Sequence, residues 1–242
     1  MNIICAMLNE LIKEVEKLKD PEQAKHSQRY FKTGKGEYGE GDIFFGIRTP
    51  AQKEIIKKYW NKISLKDVQE LLDSKVHEKR SIGISILVKK YEKSKKDKFK
   101  QREIYEFYLK NTSRINNWDL VDISASHIIG DFSSIDGTEI LKFLAKSKNI
   151  WEKRIAIVST HFFIKKRIYG ETLSIANMLL EDENDLIHKA VGWMLREVGK
   201  RNQEVLEIFL KEKYNTMPRT MLRYAIEKFS EEKRQKYLKG EI

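Results

Sequence analysis

The chain has 242 residues, 40% of them hydrophobic, enough to bury a sizeable core as one domain or two small ones. Lysine and arginine number 47 against 36 acids, a formal net charge of +11, which favours polyanionic partners, with nucleic acid ahead of an anionic membrane. No stretch approaches the roughly 20 apolar residues that cross a bilayer, Glu10, Glu14 and Glu16 interrupt the apolar run that a leader would need, and the lone Cys5 excludes an internal disulfide. These features predict a soluble, cytoplasmic protein.

Apolar residues recur at three- and four-residue spacing nearly throughout, and sustained strand-type alternation is missing. Leu8, Leu11, Ile12, Val15 and Leu18 predict a first helix, and Asp20-Pro21 reads as the cap and first residue of a second. Residues 33–48 are a loop rich in glycine (Gly34, Gly36, Gly39, Gly41, Gly46) that lacks the Lys-Ser/Thr ending of a phosphate-binding P-loop. Thr49-Pro50 starts the next helix as N-cap and first residue, with Ile55, Ile56, Tyr59 and Trp60 on one stripe. Ile82, Ile86, Val88 and Tyr91, then Ile104, Phe107 and Tyr108, continue the pattern; the lysine run 89–100 between them reads as a helix end and a solvated linker. The third proline, Pro218, again falls at a helix start.

A repeat underlies these helices. Glu78-Lys79-Arg80-Ser81-Ile82-Gly83, Glu152-Lys153-Arg154-Ile155-Ala156, His188-Lys189-Ala190-Val191-Gly192 and Leu222-Arg223-Tyr224-Ala225 each place a basic residue before small and apolar ones early in a helix. Trp118 occupies the missing slot, so positions 80, 118, 154, 189 and 223 are separated by 38, 36, 35 and 34 residues. A period of this length with two helices per unit predicts an all-α, HEAT-like α-α superhelix, a right-handed solenoid of antiparallel helix pairs with a concave basic groove. The expected organisation is a single repeat domain over 1–242, with N-terminal helices and the glycine-rich loop in 1–48 and repeats in 49–242. Gly83, Ala156, Gly192 and Ala225 would let neighbouring helices approach closely. Arg80, Arg154, Lys189 and Arg223 would form either a cationic ladder for a phosphate backbone or a set of structural ion pairs to the preceding repeat; the net charge favours the ladder.

Residues one helical turn after a slot share its face. Trp118, Asp122, Arg154, Lys189 and Trp193 are therefore expected to converge, bringing two aromatics, a carboxylate and two cations together. His26, His77, His127, His161 and His188 are scattered without metal-ligand spacing, and His161 beside Phe162 and Phe163 reads as a core residue or as one that supports a site residue from behind. Neither a metal nor a cofactor is expected.

Asn117-Trp118-Asp119-Leu120-Val121-Asp122, Ile150-Trp151-Glu152-Lys153-Arg154 and Lys189-Ala190-Val191-Gly192-Trp193-Met194-Leu195-Arg196-Glu197 resemble three signature segments of the AlkD-like DNA alkylation-repair glycosylases, which are built from HEAT-like repeats. The segment from Gly41 through Arg48, Thr49 and Pro50 resembles that family too, and the likeness spans residues 30–229. The resemblance implies a catalytic group of Trp118, Asp122, Arg154 and Trp193, and DNA contacts at Tyr30, Thr49, Arg196 and Lys200, with Arg48 beside them. It implies a monomer that acts on duplex DNA containing N7- or N3-alkylated purines, associates with the nucleoid when bound, and needs no membrane. Such a base already carries positive charge and leaves without a proton from a general acid, so a histidine is not required. Arg154 would hold a phosphate, and the base would be recognised through its charge with limited enclosure. A non-catalytic DNA-binding solenoid and a protein-interaction scaffold are the alternatives.

Overall fold

A computed structural model describes residues 3–242, with side chains from Ala6 onward, so the Cys5 side chain lies outside the described residues. The expected all-α helical repeat class is what forms: helices follow one another, and the one β-type pairing among the described residues is an isolated parallel bridge between Ile43 and Val76. The chain falls into two compact units, the first ending at Ser124 and the second running from Ala125 to Ile242.

The first unit contains α1 (Ile3–Lys17), α2 (Pro21–Tyr30), α3 (Thr49–Tyr59), α4 (Leu65–Leu72), α5 (His77–Lys93), α6 (Lys98–Lys110), a 3-10 turn (Thr112–Arg114) and α7 (Trp118–Ala125). Its helix starts follow the expected chemistry. Asp20 accepts from the amides of Glu22 and Gln23 ahead of Pro21, and Ser64 with Asp67 forms a reciprocal capping box on α4. At α3 the boundary moves by one residue: Arg48 is the cap residue, without a side-chain bond, and Thr49 is the first helical position. Leu71 and Leu72 of α4 and Ile82, Ile86 and Leu87 of α5 are almost fully buried and form the centre of this unit's core.

The glycine-rich loop is held by one buried carboxylate. Glu78, 3% exposed, accepts hydrogen bonds from the backbone amides of Phe45, Gly46 and Ile47 at 2.7–3.2 Å. Three amide dipoles replace the water this anion gave up on burial. Gly46 is required there: its φ is +80°, and a Cβ would stand 2.2 Å from the Asp20 carbonyl oxygen.

The second unit contains a π-helical turn (Ser126–Gly130), α8 (Asp131–Asp136), α9 (Glu139–Ala145), α10 (Ile150–Ser159), α11 (His161–Lys165), α12 (Gly170–Met178), α13 (Asp185–Gly199), α14 (Gln203–Lys213), α15 (Arg219–Ala225) and α16 (Glu231–Lys239). Asn149, Asn184 and Asn202 cap α10, α13 and α14 with their side chains. Pro218 precedes α15 directly.

The two glycines among the small residues of the repeat do the work expected of them. A Cβ on Gly83 would lie 3.0 Å from the Leu71 Cβ, and one on Gly192 would lie 2.5 Å from both the Met221 carbonyl oxygen and the Tyr224 Cβ. Gly192 thus sets the approach of α13 to α15. Gly192→Ala gains about 1 kcal/mol of helix propensity but must push α15 backbone away, an overpacking cost of about 1–3 kcal/mol that a rigid carbonyl places at the upper end. We expect a net loss of about 1–2 kcal/mol, read from the midpoint of urea unfolding; an unchanged midpoint would show that α15 yields freely.

Candidate functional site

In the first unit, α7 carries Trp118 in its first turn and Asp122 one turn later, both half-buried on one face. An indole is held here from several sides. Its Nε1 donates to the Tyr38 hydroxyl at 3.2 Å, Phe31 stacks on it with ring centroids 5.2 Å apart and planes 13° from parallel, and Tyr30 meets it edge-on at 5.8 Å. Tyr30 is 61% exposed, so an aromatic edge next to Trp118 faces solvent. Behind α7, the buried Tyr108 hydroxyl lies 2.9 Å from Ser124 Oγ; burial, with Asp122 charge adding to it, keeps this phenol neutral.

A charged cluster adjoins Trp118. His77, the first residue of α5, is 3% exposed. Its Nε2 is 2.7 Å from Asp119 Oδ2, and its Nδ1 is 3.5 Å from Asp42 Oδ2, at the limit of hydrogen-bond reach. Phe44 and Phe31 lie against the ring at 4.6 and 4.9 Å. Burial alone pushes the imidazole pKa down, but the bond to Asp119 and the nearby Asp42 outweigh it and raise the group from 6.5 to about 9. His77 is therefore an imidazolium at neutral pH. Asp42 also receives Arg80 Nη2 at 2.7 Å; burial pushes its carboxyl up, and the neighbouring His77 and Arg80 together leave it lowered. His77 and Phe31 also line a cavity of about 820 Å³ that Arg48, Thr49 and Lys53 border.

Sequence reasoning missed this cluster. His77 had no ligand-type spacing, and its carboxylate partners lie 35 and 42 residues away. The one local signal was a histidine opening a helix whose first turn also carries Glu78 and Arg80.

Two expected rungs of the cationic ladder are corrected. Arg80 is 3% exposed, and its guanidinium is spent on Asp42 and on the Ser74 carbonyl, so the alternative of a structural ion pair holds. Arg154 is 5% exposed and donates through Nη1 to the Leu186 carbonyl at 2.8 Å, tying α10 to the start of α13, so it is no exposed rung either. In both cases the repeat register identified a basic slot, but the side chain packs inward, Arg80 onto a carboxylate and Arg154 onto a backbone carbonyl. Trp151, in the same motif, is a core residue.

On α13 of the second unit, Trp193 is half-buried, with its ring 6.0 Å from that of His161. Burial and then Lys165 lower the His161 pKa from 6.5 to about 4, so Trp193 has a neutral imidazole beside it. Of the two expected places for His161, the structure gives the one behind a site residue: it is half-buried, with its ring beside Trp193. The remaining expected cations each meet a local acid or solvent. Lys189 pairs with Asp185 at 2.5 Å, Lys200 with Glu197 at 2.7 Å, and Arg196 with Glu227; Arg223, Arg48 and Thr49 are exposed. Among the described residues no helix is long and apolar enough to cross a membrane.

A family model described as DNA alkylation repair enzyme matches residues 11–229. A solved structure described as a predicted DNA alkylation repair enzyme from Enterococcus faecalis is similar in fold, with a TM-score of 0.67 at 18% identity over 88% of this chain and 97% of that one. No curated protein matches.

Proposed function

We propose that this chain, which belongs to the DNA alkylation repair enzyme family, is a monofunctional, monomeric DNA glycosylase that releases positively charged N7- and N3-alkylated purines, such as 7-methylguanine and 3-methyladenine, from duplex DNA. The observation that carries this reading is the pairing of Trp118 with Asp122, an aromatic and a carboxylate one turn apart and half-buried on α7.

The chemistry needs little more. In an N7- or N3-alkylated purine the base is cationic, so breaking the C1′–N9 bond returns the bonding electrons to the ring and a neutral base departs. The sugar becomes oxocarbenium-like, and the Asp122 carboxylate stabilises that charge. Water then bonds to C1′, and its proton passes to Asp122 or to solvent. Trp118 offers an aromatic face to the sugar and to the cationic base, and Trp193 offers an aromatic face for DNA on the second unit. Arg154, buried against Leu186, braces α13, the helix that carries Trp193.

DNA contact falls to the exposed groups. Tyr30, Arg48, Thr49 and Arg223 meet phosphates directly. Lys189, Arg196 and Lys200 do so by exchanging Asp185, Glu227 and Glu197 for phosphate oxygens. The exposed Lys189–Asp185 pair is worth under about 1 kcal/mol, so its exchange costs little.

The test is incubation of the protein with methylated duplex DNA and chromatography of the released bases. Release of 7-methylguanine or 3-methyladenine above the spontaneous rate is expected. Tight, salt-sensitive DNA binding with no release would replace this reading with a non-catalytic DNA-binding role, and negligible affinity at physiological salt would favour a protein scaffold.

A further inference from the structure

We infer that His77 is a positioning residue for the chemical pair on α7: clamped as a buried cation between Asp42 of the glycine-rich loop and Asp119 of α7, it sets the rotation of that helix and hence the aim of Trp118 and Asp122. The inference rests on the reading of Trp118 and Asp122 as the reacting pair.

The geometry carries it. Trp118 and Asp119 are consecutive, about 100° apart around α7, and Asp122 returns to the Trp118 face. Whatever pins Asp119 therefore fixes the angle at which the other two project. The pin is the 2.7 Å bond from His77, which is itself immobilised. Its ring is stacked on Phe44 and tilted against Phe31, and Phe31 in turn stacks on Trp118. One buried ring thus contacts α7 by two routes, through a charge and through an aromatic stack.

The charged groups around it explain why a cation is used. Asp42 faces it from the loop and Asp119 from α7, while Arg80 and Glu78 lie on its own helix. Tyr38 stands beyond Trp118, and Arg48 and Lys53 border the cavity that His77 lines. Glu78 is fully engaged by three loop amides, so the local balance is Asp42 and Asp119 against Arg80 and His77. With His77 charged those four groups sum to zero; with His77 neutral one carboxylate is left without a cation, and the structure must relax where it is softest. Asp119 is 23% exposed, the most accessible member, so release occurs on the α7 side.

The experiment reads α7 without relying on activity. The chain has four tryptophans, so 15N labelling yields four indole cross-peaks, and Trp118→Phe identifies the one that matters. In the wild type that peak is expected to shift with pH through a midpoint near 9, the value for His77, and to lose this step in His77→Gln. In Asp119→Asn the step should move down by more than one pH unit. Single-turnover base release by His77→Gln at pH 7.5 should be about 10- to 100-fold slower than wild type, the cost of misaimed groups, with its circular dichroism unchanged. A Trp118 peak with no step between pH 7 and 10, or a step that survives in His77→Gln, overturns the clamp. If the wild type releases no base yet the Trp118 step is present and depends on His77, the proposed reaction fails and the clamp stands.

Discussion

Asp122→Asn is expected to slow release of alkylated purines by about 100- to 1,000-fold, the usual cost of removing a group aimed at developing transition-state charge. Duplex DNA affinity should remain within twofold. The substitution is nearly isosteric and sits half-buried on α7, so it removes charge without a cavity. Burial is the leading cause of the raised Tyr108 pKa, with Asp122 only a lesser contributor, so the phenol behind α7 stays neutral and its contact with Ser124 persists. The rate constant to compare is the single-turnover one, which excludes product release. Full release by the Asn variant would remove Asp122 from the mechanism. A loss confined to affinity would instead make it a DNA-positioning group.

The repeat was readable because its causes are local. Apolar spacing specifies helices, and Gly83 and Gly192, each three residues after its slot, mark places where one helix closely approaches its neighbour. Trp118 and Asp122 were readable for the same reason, since one turn of helix separates them. What a basic slot faces is another matter. Arg80 and Lys189 hold equivalent positions in the period, yet one is buried on Asp42 and the other sits at the surface beside Asp185. The difference is made by Asp42, a residue of the glycine-rich loop 38 positions earlier that no periodicity governs. The same loop hid His77, whose charge depends on two carboxylates brought from opposite directions along the chain. Composition argued for a cationic face; only packing could show which cations had already been used.

Arg80→Ala separates those two fates and is expected to cost about 3 kcal/mol of stability, in the range for breaking one partner of a buried ion pair. Four charges balance one another, three of them buried: Asp42 and the more accessible Asp119 against His77 and Arg80. Removing the guanidinium leaves one excess carboxylate and strips the Ser74 carbonyl of its donor. It also loosens the loop that Glu78 and Asp42 hold against α5. Denaturant unfolding of the variant should show the deficit directly. DNA binding offers the opposite readout. An exposed cation that meets a phosphate lowers the slope of log affinity against log salt by about 0.9 when removed; Arg223→Ala should show that change, and Arg80→Ala, measured below its unfolding transition, should not. If Arg80→Ala unfolds like the wild type and binds DNA with a shallower salt slope, its side chain leaves Asp42 for the phosphate backbone, and the ladder read from the repeat regains its first rung.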